Sequence, residues 1–137
     1  MKTVILAGGL GKRLRPFTKS IPKPMLPIGE KSVLEIQIDR LSQAGCEEII
    51  LATNYKSEIF KSYFENKDYE GTKIIISKEE KRLGTVGPIS ILKERLNEPF
   101  IVMNGDILTL IDFQKFYKFA LKNESILTLA IKKEISG

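Results

Sequence analysis

Thr3-Val4-Ile5-Leu6-Ala7-Gly8-Gly9 is an apolar, partly β-branched run cut off by two glycines. Such a run reads as a short strand buried on both faces, followed at once by a loop. The loop is long. It passes Gly11, Pro16, Pro22, Pro24, Pro27 and Gly29, and its prolines remove backbone donors and fix φ, so no helix is expected before about Ser32. There Ser32 and Glu35 make an S-x-x-E capping box, Leu34, Ile38 and Leu41 recur at helical spacing, and Gly45 supplies the stop.

Outward from this opening the two periodicities alternate. Glu48 to Thr53 reads as a strand, and Ser57 to Asn66 as a helix with Ile59, Phe60, Tyr63 and Phe64 on one face. Thr72 to Ser77 is strand-like, and Pro88 to Leu96 is helical, with Pro88 in the first turn. Phe100 to Met103 predicts a fourth strand, Asp112 to Lys122 a helix carrying Phe113, Phe116, Tyr117, Ala120 and Leu121, and Ile126 to Ile131 a fifth strand. Five apolar strands alternating with four helices predict a doubly wound, Rossmann-like α/β fold: a mostly parallel sheet with ligands at the carboxyl ends of its strands. The loop from Gly8 to Pro27, the segment after the third strand and Asn104-Gly105-Asp106 all follow such ends and are expected on one rim.

The 137 residues, 42% hydrophobic and 28% charged, fit one globular domain, 1–137. The apolar run Thr3 to Leu10 falls far short of a membrane span, so a cytoplasmic location is expected and no membrane partner. With one cysteine, Cys46, and no histidine, the chain has neither an internal disulfide nor a CxxC, HExxH or zinc-finger ligand set, and no Ser-His-Asp or Cys-His nucleophile arrangement. Cys46 reads as a small core residue. The net charge of +5 suits anionic partners, nucleotide phosphates among them, and the aromatics sit at helix-core spacing rather than among the basic residues as nucleic-acid binding would ask.

Glycines at 8, 9 and 11 let a backbone approach phosphate oxygens and point N–H groups at them, although a plain glycine turn looks the same. Gly9 to Leu14 lacks the third glycine of a dinucleotide fingerprint, and Gly11-Lys12 is followed by Arg13 where a Walker A loop has Ser or Thr. The continuation is more specific: Lys12-Arg13-Leu14-Arg15-Pro16-Phe17-Thr18, then Pro22-Lys23-Pro24-Met25-Leu26-Pro27-Ile28, later Leu83-Gly84-Thr85-Val86-Gly87-Pro88 and Met103-Asn104-Gly105-Asp106. In these stretches the chain resembles the sugar-phosphate nucleotidylyltransferases, with their GGxGxRLxPxT, PKPxxPI, LGTAGP and NGD elements in order. Val86 replaces the usual small Ala.

The resemblance implies the nucleotide-diphospho-sugar transferase type of fold and transfer of a nucleoside monophosphate from a nucleoside triphosphate to a sugar 1-phosphate, with release of pyrophosphate. A phosphate oxygen is already a nucleophile, so this reaction needs no histidine base. It also implies a nucleotide site of Leu6, Ala7, Gly8, Gly9, Gly11, Lys12, Arg13, Glu79, Gly84 and Thr85 and a catalytic set of Arg13, Lys23 and Asp106. Arg13 would hold the β/γ end, Lys23 would sit between the two phosphates undergoing exchange, and Asp106 would bind Mg²⁺. Bland readings stand beside these: a solvated basic loop, Arg15 included, an ordinary Asn-Gly-Asp turn, and a Thr85 that merely caps the next helix. The stretch Lys78 to Arg82 would lie along the base; there Glu79, or Glu80 in the adjacent register, suits the two donors of guanine and so favours GTP, unless the run is only a solvated charge cluster.

Members of the resembled family continue beyond the segment that corresponds to Gly137, and the later part supplies a second metal carboxylate and most sugar contacts. The chain therefore reads as truncated at its C-terminus. Its alternatives are a nucleotide-binding module without turnover and, more remotely, a polynucleotide-binding α/β domain. Its exposed last strand leaves an uncovered sheet edge, so self-association, a homo-oligomer among its forms, is expected to be stronger than in a longer chain.

Overall fold

A computed structural model describes residues 1–9, 13, 16 and 20–134. The main sheet has four strands, β1 (Lys2–Leu6), β4 (Glu48–Thr53), β5 (Lys73–Lys78) and β6 (Phe100–Asn104), in the order β5-β4-β1-β6, all parallel. A two-residue hairpin, β2 (Pro27–Ile28) with β3 (Lys31–Ser32), stands apart from it. Among the described residues the α-helices complete from end to end are α1 (Val33–Gln43), α2 (Ser57–Phe64), α3 (Gly87–Ile91) and α4 (Phe113–Lys122).

β1 is central, and its apolar run is buried on both faces as its sequence requires, with Thr3, Val4 and Ile5 fully inaccessible. Alternation sorts the side chains. Ile5, Ile49, Leu51 and Ile101 face a thick layer made by Leu34, Ile38 and Leu41 of α1, Phe60 and Phe64 of α2 and Phe113 of α4, while Val4, Ile50 and Ala52 face a thinner one around Leu92. Cys46 belongs to the first core, buried and bonded through Sγ to Thr3 and to backbone carbonyls.

The chain leaves β1 toward β4 and β5, then crosses back to β6 on the other side of β1, so the winding reverses beside β1. In an open α/β sheet that reversal leaves a crevice past the carboxyl ends of the two strands. Leu6 at the end of β1 is in register with Ala52 of β4 and Asn104 of β6, which sets all three exits side by side.

Local chemistry fixes the elements. Ser32 Oγ accepts from Glu35 N–H and Glu35 Oε2 accepts from Ser32 N–H, a complete capping box for α1, and Gly45 follows its end at φ +83°. Asp112 caps α4 by accepting from Lys115 N–H.

Four expectations need correction. Ile126 to Ile131 forms no strand; it runs irregularly with Ile126, Leu127, Leu129 and Ile131 each at least 71% exposed, because β propensity is realised only against a hydrogen-bonded neighbour and a covered face, and among the described residues it has neither. The helix expected over Pro88 to Leu96 is helical only as far as Ile91 and continues as turns, which still bring Leu92 and Leu96 onto the sheet. Thr85 does not cap it: Val86 holds the N-cap position without a side-chain bond. Helical geometry also begins before Ser32, at Ser20 and in a 3₁₀ turn Lys23–Met25, since Pro24 falls within the first positions where its missing N–H is harmless.

Candidate nucleotide site

A cleft of about 550 Å³ opens at the carboxyl end of the sheet, within the size range of small-molecule sites. Three segments line it. The exit of β1 contributes Leu6, Ala7, Gly8 and Gly9; the segment beyond β5 contributes Glu79, Arg82, Gly84, Thr85 and Pro88; and the exit of β6 contributes Asn104 and Asp106, facing Lys23 and Pro24. The described parts of the three segments expected on one rim thus meet there.

The β1 exit is held open by backbone pairing. Ala7 N–H donates to Ala52 C=O at 2.8 Å, prolonging the ladder one residue past the strand and leaving Gly8 and Gly9 beyond it. A Cβ at Gly9 would meet nothing within 4 Å, so its openness faces the cleft rather than the core. Gly11 and Lys12 lie outside the described residues, and Arg13 is exposed and not part of the lining.

The β6 exit is tight. Gly105 N–H donates to Leu6 C=O at 2.9 Å, and a Cβ at Gly105 would stand 3.2 Å from that oxygen and 3.2 Å from Pro24 Cγ. Glycine lets the Asn104-Gly105-Asp106 turn and the Lys23–Met25 turn touch without either giving way, which a methyl at this position would require by a few tenths of an ångström. The contact places Lys23 Nζ 2.8 Å from Asp106 Oδ2, with both side chains 41% exposed toward the cleft.

Glu79 closes the third side. Its N–H donates to Thr53 C=O at 2.7 Å and its C=O accepts from Asn54 Nδ2 at 3.0 Å, so its backbone is pinned on the exit of β4. Its side chain, 7% exposed, accepts the Leu83 N–H at 2.5 Å and so holds the Leu83-Gly84-Thr85 turn. Gly84 has φ +77°, and a Cβ at Gly87 would lie 2.0 Å from Leu83 Cβ, which gives each glycine of this motif a steric reason. Glu80, the alternative in register, is exposed and outside the lining.

Nine of the residues expected in the site therefore surround one cleft: Leu6, Ala7, Gly8, Gly9, Lys23, Glu79, Gly84, Thr85 and Asp106. Ala52, Pro24, Pro88 and Asn104 join them; Pro24, Pro88 and Asn104 sit inside the recognised motifs, whereas Ala52 is marked only by its register with Leu6. Among the described residues no three His, Cys, Asp or Glu side chains cluster as a metal cage. Asp106, the more open of the two carboxylates on the cleft, fits a hard divalent cation that would take its remaining ligands from phosphate and water oxygens. No helix of the described residues is long and apolar enough to cross a membrane.

Comparison with known proteins agrees with this geometry. The profile of the family described as Nucleotidyl transferase matches residues 2–135. The chain is 44% identical over 134 residues to the D-glycero-alpha-D-manno-heptose 1-phosphate guanylyltransferase of Campylobacter jejuni, covering 97% of this chain and 58% of that protein. It is 36% identical over 140 residues to a probable mannose-1-phosphate guanylyltransferase of Oryza sativa subsp. japonica, covering 97% and 38%. The crystal structure of HddC from Yersinia pseudotuberculosis complexed with GMP-PN superimposes with a TM-score of 0.77 at 35% identity, over 88% of this chain and 54% of that one. The chain thus spans between about two fifths and three fifths of the length of these relatives. With its profile matched almost end to end and the shared motifs gathered on one cleft, the chain belongs to the nucleotidyl transferase family.

Proposed function

We propose that this chain carries the nucleotide site of a sugar-1-phosphate nucleotidylyltransferase that uses GTP: a sugar 1-phosphate oxygen attacks the α-phosphorus, the bond to the pyrophosphate oxygen breaks, and a nucleotide sugar forms. The observation that carries the reading is the cleft with a cation and a carboxylate, Lys23 and Asp106, on one wall and a buried carboxylate, Glu79, on another. The guanylyltransferase names of the relatives and the GMP-PN complex support the choice of nucleotide.

Each residue has work suited to its chemistry. Backbone N–H groups around Gly8 and Gly9 donate to phosphate oxygens, and Arg13, which stands exposed outside the lining, would on the resemblance alone reach the β/γ end with its planar fork. Lys23, a compact charge on a segment stiffened by Pro22 and Pro24, sits where the attacking and the transferred phosphate meet and offsets the charge that builds there. Asp106 would hold Mg²⁺, which when bound neutralises phosphate charge and orients the triphosphate. Glu79 keeps free acceptor capacity after taking the Leu83 N–H and offers it to the two adjacent donors of guanine, N1–H and the exocyclic amine. Uracil and thymine present one donor between two acceptors, which a carboxylate repels. We place the protein in the cytoplasm, where nucleoside triphosphates are available.

The test is pyrophosphate release from GTP in the presence of a panel of sugar 1-phosphates, run beside GTP binding. Release that depends on the sugar phosphate supports the enzyme; binding without release leaves a nucleotide-binding module, and neither binding nor release defeats the proposal.

A further inference from the structure

We infer that Gln37, on the buried face of α1 and outside every recognised motif, is the positioning residue for Asp106. Gln37 is 2% exposed. Its Nε2 donates at 3.0 Å to Asn104 C=O and also to Ile107 C=O, so one amide nitrogen bonds a carbonyl on either side of Gly105-Asp106. An amide NH₂ has two donors and the two carbonyls can only accept, which fixes the orientation of the side chain and ties both ends of the turn to one atom.

On the cleft side the turn is held by Gly105 N–H on Leu6 C=O and by the Lys23–Asp106 pair; on the α1 side Gln37 holds it. Ile107, Leu108 and Leu110 are 46%, 52% and 95% exposed, so burial does not anchor the stretch after Asp106. Farther along, Arg40, one helical turn after Gln37, donates to Ile111 C=O at 2.9 Å and lies over the Phe113 ring. α1 thus acts as a rail from which polar side chains grip the backbone from 104 to 111. Since α1 itself is locked by its capping box, the grip is stiff.

The consequence rests on the reading of Asp106 as a ligand of a divalent cation: a carboxylate whose turn is pinned meets the cation without first having to be ordered. Partners behind metal ligands commonly change affinity by roughly 10- to 100-fold when removed. Gln37→Met keeps the length and loses both donors. Mn²⁺ serves as the probe, its free fraction counted by electron paramagnetic resonance in the GTP complex, with metal-free GTP affinity measured by calorimetry and Asp106→Asn run alongside.

The expected result is an Mn²⁺ affinity about tenfold lower in Gln37→Met, with GTP affinity in the absence of metal within twofold of the original. Unchanged Mn²⁺ affinity in Gln37→Met beside its loss in Asp106→Asn overturns the positioning role alone. An equal loss of metal-free GTP binding also overturns it, since that would mark a general structural effect. Unchanged Mn²⁺ affinity in Asp106→Asn removes the metal assignment and this inference with it. Should Gln37→Met fail to fold, Gln37→Asn, still polar but one methylene too short to reach both carbonyls, is held to the same outcomes.

Discussion

Lys23 and Asp106, 83 residues apart in sequence, form an ion pair of 2.8 Å across the mouth of the cleft. The pair is open to solvent, and ion pairs so exposed contribute only about 0–1 kcal/mol to stability. Its value lies in the ligand. On the proposed reading the carboxylate would occupy the lysine until phosphate arrives, and at the same time would repel that phosphate.

Lys23→Ala and Asp106→Asn should therefore melt within a few degrees of the original protein while each removes most turnover from the active enzyme, on the order of a hundredfold or more. In EDTA they should diverge: Asp106→Asn, which frees Lys23 and removes a negative charge, binds GTP more tightly, and Lys23→Ala binds it more weakly. Calorimetry and thermal melts check this. Near-normal rates in either variant, or the same direction of change in EDTA, contradict the assignments.

The glycines of the cleft should rank by their surroundings. Gly87→Ala drives a methyl to 2.0 Å from Leu83 Cβ and should cost about 1–3 kcal/mol together with nucleotide affinity. Gly84→Ala, at φ +77°, should cost about 1–2 kcal/mol, whereas Gly9→Ala, with open space around it, should leave urea stability nearly unchanged. A Gly9 variant less stable than the Gly87 variant would reverse the argument.

Stability should fall in acid through Glu35. Partial burial by itself would raise this carboxyl, but Tyr63 Oη at 2.5 Å, the Ser32 N–H at 2.9 Å and Lys67 Nζ at 3.0 Å outweigh it and hold the pKa at about 2, against 4.5 for the free group. A carboxyl depressed in the folded state stabilises above its unfolded value, and that contribution drains away between pH 4.5 and about 2 as protons bind the unfolded chain first. Melts over pH 6 to 2 should show this loss, of about 2–3 kcal/mol, and Glu35→Gln should flatten it. Equal pH dependence in both proteins would remove Glu35 from the account.

Ile126, Leu127, Leu129 and Ile131 expose an apolar, strand-prone run, the kind of segment through which chains associate. Light scattering should show concentration-dependent self-association, reduced in the double variant Leu127→Lys, Leu129→Lys. A monodisperse monomer at every concentration would contradict this.

The sheet was legible because β1 and β4 are continuous apolar runs that only a doubly covered strand accommodates, and α1 because its cap, stripe and glycine agree. Ile126 to Ile131 has the same composition as a buried strand, and sequence alone does not say whether a partner lies beside it. The hairpin Pro27–Ile28 with Lys31–Ser32 is too short to show a period, and only Gly29, at φ +67°, marks its turn. Within the cleft the motif residues were legible by type and spacing. Gln37 was not, for on a helix stripe it reads as one polar residue between Leu34 and Ile38, and its meaning depends on carbonyls 67 and 70 residues away.

The most direct test of the central claim is calorimetric titration of the protein with GTP, ATP, CTP, UTP and dTTP in the presence of Mg²⁺, repeated with Glu79→Gln. Binding of GTP well above the others, with that preference lost in Glu79→Gln, is the predicted result. A preference for UTP or dTTP in the original protein, or a GTP preference that survives Glu79→Gln, would contradict it.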